Sequence, residues 1–477
     1  MAFLRFFGLI FIALITFNST ASVQGLVLEF LTQNSDVLKG QSSVNSAKFD
    51  IEGVKAKKSW ALIYSSALDD SSLESSSSTS STFSNTKSLT HTLALSKDFG
   101  WGGNFSFSNT YLKMTPTVAA TSASYDLYGF AQGVSYTQDL GSNFFGRGHY
   151  QELTSSKINY DLINLEVSKL TTAQLKTFYL QYSGARMNKT LLKLQEQALD
   201  RAKQRRRLIA RRVKDGLREN VDLYQAQMAE QTQEEALKSA QISLESSIGI
   251  LSTYLHRKVK SREIKKFTLG NKKLNALPEG SWGKSLEYLS RDKKIKYLSS
   301  MMKQVENSIF PKIELLASYN TNDYDSQSSK VYSNGTLGND NREYEIGISA
   351  TWPIGFEPQQ VEKAKLNIEL ETTKMYQRKS KESFEQNRRS LYKQIDVLDE
   401  NITSVKNRLK LAQKVLNEYN KLYNLGRADL DQVISSEESL ISTQRSFSSY
   451  LSQRETLNAN LSTLYGSLKN YLVGLKE

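Results

Sequence analysis

The sequence predicts a mainly α-helical chain that also carries membrane β-strands and is built as an internal duplication. Three observations predict this. Only 5 prolines occur in 477 residues, which leaves room for very long helices, because Pro removes a helix donor and clashes with the preceding turn. Short stretches of strict apolar/polar alternation separate the helical runs. The order of long helix, glycine and heptad helix occurs twice, with Gly216 and Gly426 210 residues apart.

The first element is not part of the fold. Met1 to Ala21 carries one basic residue, Arg5, an apolar run from Phe6 to Phe17, and Ser19-Thr20-Ala21 before a plausible cut. That is the build of a signal peptide, predicted over 1–21. Its apolar run is shorter than the roughly 20 residues of a membrane helix, and no later stretch approaches that length. The chain is therefore exported, and any membrane span must be β.

The first repeat is predicted over 22–257. Residues 40–58 read as a polar helix and Trp60 to Leu68 as an extended segment, followed by a patch with Ser at 8 of the 12 positions from 71 to 82. Leu93 and Leu95 alternate with small polar residues, as do Phe105, Phe107 and Tyr111 beyond Gly100-Trp101-Gly102-Gly103, which reads as a hairpin. Val134 and Tyr136 mark a further strand. From 155 to Asp215 there is no Pro and only Gly184, enough for about 90 Å of helix. After Gly216 the seam Leu237, Ala240, Leu244, Ser247, Leu251, Tyr254 has the 3–4 spacing of a coiled coil.

A linker or equatorial segment is predicted over 258–282 and the second repeat over 283–477. A helix from 283 to about 309 precedes Pro311 and a strand with Ile313, Leu315, Ala317 and Tyr319 on one face. A polar loop with Asn334-Gly335 and Gly338 leads to a strand through Tyr344, Ile346, Ile348, Ala350 and Trp352. Pro358 stands at a helix start, and no Pro or Gly follows until Gly426. The last helix carries Leu440, Thr443, Phe447, Tyr450, Arg454, Leu457, Leu461, Leu464, Leu468 and Tyr471. Trp60, Tyr319, Tyr344 and Trp352 suit the aromatic girdles of a membrane barrel. The alternating strands also fit a soluble β-sandwich cap on a coiled-coil stalk. Export without a membrane helix favours the barrel. The count is four strands per chain, or six with the Leu93–Tyr111 hairpin. Four cannot close a barrel, so several chains must share one.

Composition limits the chemistry. With no Cys, the chain has no disulfide, thiolate metal site or thiol nucleophile. His91, His149 and His256 are scattered, so no metal and no cofactor is expected. No nucleophile–base constellation points to an enzyme. The net charge of +13 includes the run Lys203 to Lys214, read as a solvated helix face or a contact for an acidic protein surface. Nucleic acid is not expected as a partner of an exported chain.

The segments VKDGLRENVDLYQAQMAEQTQEEAL (213–237) and YNLGRADLDQVISSEESLISTQRSF (423–447) resemble the two helix–turn–helix repeats of TolC-family outer-membrane factors. Asn34-Ser35-Asp36, Phe310-Pro311 and Trp352-Pro353-Ile354 extend the resemblance over nearly the whole mature chain. It implies a homotrimer with a 12-stranded β-barrel in outer-membrane lipid. A long antiparallel coiled-coil α-helical barrel would continue it through the periplasm. It further implies a periplasmic adaptor protein and an inner-membrane transporter as partners, in a tripartite efflux pump or a type I secretion system of a Gram-negative-type cell.

The family's adaptor-docking turns fall on Asp215-Gly216-Leu217 and Leu425-Gly426-Arg427, with Asp215 where members often have an apolar residue. Its periplasmic gate falls on Asp222 and Tyr423. The basic gate position holds Ala428, beside Arg427. The positions of the constriction aspartates hold Gln432 and Ser435, with Asp431 or Glu437 as the nearby acids. The competing readings are a non-conducting coiled-coil scaffold of the cell envelope and an enzyme.

Overall fold

The structure, a computed structural model, describes residues 23–72, 83–118, 121–267, 277–334, 336–337, 341–352, 354–355 and 357–474. The expected signal peptide, most of the serine-rich patch, Gly335, Gly338 and Pro353 lie outside the described residues. The chain runs α1 (Val23–Gln33), α2 (Ser35–Ala56), β1 (Trp60–Ser72), β2 (Phe83–Asp98), β3 (Gly103–Val118), β4 (Leu127–Asp139), α3 (Arg147–Lys214) and α4 (Asn220–Tyr254). It continues with α5 (Leu286–Ser308), β5 (Lys312–Asp325), α6 (Ser328–Asn334), β6 (Arg342–Thr351), α7 (Glu357–Asn424), α8 (Leu430–Tyr465) and α9 (Leu468–Val473). The long helices α3 and α7 have 68 residues each, about 100 Å at 1.5 Å per residue. Their heptad partners α4 and α8 have 35 and 36.

By compactness the chain divides into two units, each drawing on both sequence repeats. One takes the described parts of Met1–Ser43, Leu165–Ser290 and Gln377–Glu477; the other takes Val44–Asn164 and Arg291–Tyr376.

The second unit is built on one antiparallel sheet of six strands in the order β1-β2-β3-β4-β5-β6. The Leu93–Tyr111 hairpin is therefore in the sheet. The expectation of twelve strands from three chains rests on four strands per chain, whereas the described residues form six. β1 and β5 begin, and β4 and β6 end, at one end of the sheet, where they connect to α2, α5, α3 and α7. The register sorts side chains by the period-2 pleat. One row across all six strands reads Leu62, Leu95, Phe107, Val134, Tyr319, Tyr344. The adjacent row, on the other face, reads Ala61, Ser96, Ser106, Ser135, Ser318, Glu345.

Aromatic rings gather at two levels of the apolar face. At the helix-connected end, Trp60 meets Phe105 edge-on at 6.2 Å, Phe99 stacks on Trp101 at 4.4 Å, and Trp101 Nε1 donates to the Tyr136 hydroxyl at 3.3 Å. Farther along, Tyr64, His91 and Tyr111 stack in sequence at 6.1 and 6.3 Å. The four to eight residues between these levels span about 13–27 Å. Of the four girdle residues expected, Trp60 lies at a strand end and Trp352 just past one, whereas Tyr319 and Tyr344 pair inside the sheet at 5.2 Å. The polar loop expected before β6 contains helix α6. Its Tyr332 lies flat on Tyr111 at 5.6 Å, and Val331 is fully buried.

In the first unit, α1 buries Val27 and Phe30 against α3, α4 and α9, with Phe30 stacked on Phe178 at 4.6 Å. Asn34 caps α2, accepting from the backbone N–H groups of Asp36 and Val37. The expected α4 seam is buried or half-buried throughout. The α8 seam is broken sooner than expected. Gly466, at φ 72, ends the helix in the left-handed region, so Leu468 and Tyr471 belong to α9. Arg454 sits buried in the α8 seam, tolerated because it donates to both Asp399 oxygens at 2.8 and 3.2 Å and to Asn458 at 2.6 Å.

After α4, Arg257 binds both Glu29 of α1 and Glu263, the latter at 2.6 Å. Burial pushes the Glu263 carboxyl up, but hydrogen bonds from Arg257 and the Lys260 N–H outweigh it and hold the carboxyl below its ordinary 4.5. A depressed carboxyl stabilises the fold above the unfolded-state value and loses that contribution as pH falls through the folded-state value. Thermal unfolding followed by helical circular dichroism is expected to show a drop in stability on acidification below pH 4.5. Glu263→Gln removes part of that dependence and costs about 1–3 kcal/mol at neutral pH. An unchanged pH profile in the variant would count against this assignment.

Candidate functional site

The site is the pair of helical hairpin tips, α3–α4 and α7–α8. Each tip is made by the same backbone motif. At the first, Leu217 N donates to Arg212 O and Gly216 N to Val213 O; at the second, Arg427 N donates to Leu422 O and Gly426 N to Tyr423 O. These bonds satisfy the last carbonyls of each long helix and require a left-handed residue. Gly216 and Gly426 supply it, at φ 71 and 73. Beyond the turns, Asp429 caps α8 in a capping box with Gln432.

The two tips pack on each other. Ile209 and Ala226 of the first hairpin share an apolar core with Leu416, Tyr423, Leu430 and Val433 of the second, and Arg212 donates to Asn424 at 3.2 Å. The outer ends are left open, with Leu217 71% and Leu425 68% exposed. Gly216 and Gly426, Asp215 and Arg427 are exposed beside them.

Charge at the tips is arranged around Tyr423. Its ring is buried, with the Arg218 guanidinium 4.9 Å and the Arg212 guanidinium 5.3 Å from its centre. Burial raises the phenol above its ordinary value, and the nearby arginines act against that shift. Its hydroxyl lies beside Arg212, without a hydrogen bond of good geometry. Asp222 is in an ion pair with Arg218 at 3.7 Å. Deeper between the hairpins, Glu437 is buried and held by Arg201 at 2.5 Å and by Arg205. Arg206 pairs with Glu230. Half of the basic run is thus absorbed internally, while Arg207, Arg211 and Lys214 remain exposed.

No family model matches the chain, and no curated protein sequence does. Solved structures do. The outer membrane protein VceC from Vibrio cholerae aligns over 94% of this chain and 96% of its own at 13% identity, with a TM-score of 0.64. The outer membrane channel CmeC of Campylobacter jejuni aligns over 94% and 86% at 9% identity, TM-score 0.66. The MtrE outer membrane channel of Neisseria gonorrhoeae, solved in its open state, aligns over 94% and 90% at 13% identity, TM-score 0.66. The chain has the fold of the TolC-type outer-membrane channels.

Within that fold, the residues expected from sequence fall at the tips, but they are joined differently from the expectation. Asp222 and Tyr423 both flank Arg218 and share no hydrogen bond. Arg427 and Asp431 are exposed and form no ion pair among the described residues. Glu437 is neutralised by two arginines. Gln432 serves the α8 cap. The sequence reading missed Arg201, Arg205, Arg212 and Arg218. Only Arg218 had a local signal, its i,i+4 spacing from Asp222; the other three act across hairpins. No described helix is long and apolar enough to cross a membrane, and no group of three or more metal-ligating side chains occurs among the described residues.

The glycines make a graded test. A Cβ at Gly216 or Gly426 meets nothing within 4 Å, whereas at Gly466 it meets Leu286 Cγ at 2.9 Å. Gly216→Ala and Gly426→Ala are expected to cost about 1–2 kcal/mol each, from backbone strain alone. Gly466→Ala is expected to cost more, through the added clash. Denaturant unfolding of the three variants checks the order.

Proposed function

We propose that the protein is a homotrimeric outer-membrane channel that serves as the exit duct of a tripartite efflux pump or type I secretion system. The duct passes substrates delivered by an inner-membrane transporter and a periplasmic adaptor, and performs no catalysis itself. The observation that carries this reading is the two-faced sheet. Its row from Leu62 to Tyr344 is apolar and the adjacent row on the other face is small and serine-rich, the period-2 contrast of a membrane-barrel wall. The fold shared with outer-membrane channels supports the same reading. Exposed apolar residues at heptad spacing support several copies: Val361, Ile368 and Met375 on α7, and Val221, Met228 and Ile242 on α4, have no cover within one chain.

The adaptor docks on the two tips, at Asp215-Gly216-Leu217 and Leu425-Gly426-Arg427, where Leu217 and Leu425 offer apolar contact. The gate lies next to them, with Asp222, Tyr423, Arg427 and Asp431 as its polar members. Arg218 holds Asp222 within a chain, at the modest strength of a half-exposed pair, under about 1 kcal/mol. A link of that strength is one an adaptor can replace.

Single-channel recording in planar bilayers tests the reading. The wild type is expected to give small, long-lived openings. Asp222→Ala with Tyr423→Phe is expected to raise the conductance. Silence from both inserted proteins would favour the scaffold reading.

A further inference from the structure

We infer that the β2–β3 hairpin is part of the barrel wall, so that three copies close eighteen strands around a wider lumen. The count of three rests on the trimer reading above; the place of the hairpin does not.

Three observations carry the inference. First, β2 and β3 are integrated by register. They pair over nearly their whole length with β1 on one side and β4 on the other, so β1 and β4 touch only through them.

Second, they obey the same sidedness as the rest. On β2, Leu93 and Leu95 share the apolar face while Ala94 and Ser96 share the small polar face. On β3, Phe105 and Phe107 oppose Ser106 and Ser108 in the same way. A hairpin folded outside the wall, in water, would have no reason to keep one face apolar in register with four other strands.

Third, its turn is fitted to the corner where β4 enters α3. Asp139 N donates to Gly102 O at 3.0 Å. Gly102 is at φ 87, and a Cβ there would stand 2.6 Å from Asn143 O; at Gly146, φ 79, a Cβ would stand 1.7 Å from Gly100 O. Only glycine fits at these two places.

The arithmetic of closure follows. β1 and β6 are the two open edges of one six-stranded sheet. Unpaired edges are not tolerated in hydrocarbon, and six strands are too few to close alone. β6 of one copy and β1 of the next run in opposite directions, so they pair antiparallel at every joint. Three copies then give eighteen strands. Barrel diameter grows roughly in proportion to strand number, so this wall is about one and a half times as wide as a twelve-stranded one.

The test uses the absence of cysteine. Single variants Ser96→Cys, Ser106→Cys, Leu95→Cys and Phe107→Cys of the full chain are reconstituted in phosphatidylcholine vesicles and treated with a charged, membrane-impermeant maleimide. The expected result is labelling of one pair, 96 and 106 or 95 and 107, and its loss at the other, where a lipid-attached nitroxide quenches a fluorophore introduced beforehand. Equal labelling of both pairs would place the hairpin in water and overturn the inference. Light scattering on the same detergent-solubilised samples counts the copies. Three copies with alternating labelling gives eighteen strands. Two copies with alternating labelling overturns both the count and the trimer, while leaving the hairpin in the wall. Deleting residues 83–118 leaves β1 and β4 antiparallel, and the barrel seen by electron microscopy is expected to narrow by about a third. An unchanged diameter in that variant would also overturn the proposal.

Discussion

A peptide group in hydrocarbon has no water to bond with, and in the reading proposed above this constraint orders the sheet unit. In the proposed barrel it forces each strand to find a neighbour on both sides, and it makes β1 and β6 the edges that other copies would cover. It also explains the composition of the strands. Once every backbone group is paired, the only remaining variable is which face each side chain takes, and the row from Leu62 to Tyr344 and the row from Ala61 to Glu345 divide that choice cleanly. Charged residues on the sheet gather toward the strand ends and along β6, and where polar residues enter the Leu62–Tyr344 face they pair, as Gln132 does by donating to Asn109 at 2.6 Å.

The helical unit answers to water instead. Its helices need only a narrow apolar stripe, and polar side chains enter the seams wherever partners exist for them. Arg454 with Asp399, Arg186 with Glu455 at 2.5 Å, and Glu437 between two arginines all occupy buried or half-buried positions between helices. Such pairs add little net stability compared with apolar packing, yet removing one partner is costly. They favour one registry of helix against helix, which a plain repeat of leucines leaves less well defined.

Much of the architecture was legible from sequence because it depends on local rules. Proline scarcity, the two glycine turns and the 3–4 spacing located α3, α4, α7 and α8 to within a few residues, apart from the earlier start of α3 at Arg147. The alternation of Phe105, Phe107 and Tyr111 identified a hairpin, but whether it joined the others depends on its outer edges pairing with β1 and β4, which alternation alone does not specify. Helix α6 was hidden in a stretch of serines and asparagine with little helical period. The break at Gly466 was hidden for the opposite reason, since the heptad pattern continues through it into α9. At the tips, the turns were readable and the ion pairs were not. Glu437 is placed on α8 by its sequence position, but the fact that it is spent on Arg201 and Arg205 follows only from how two distant hairpins pack.

The packing of α1 has a consequence for how the molecule is made. Val27 and Phe30 lie in a core that also contains Leu468 and Leu472, and Gln24 donates to the Val473 carbonyl at 2.7 Å, 449 residues away. Contacts of such sequence separation form late and slowly. The earliest-synthesised segment of the folded body must therefore wait, uncovered, for one of the last. This core can close only once α1 and α9 are both present, however far apart the chain places them.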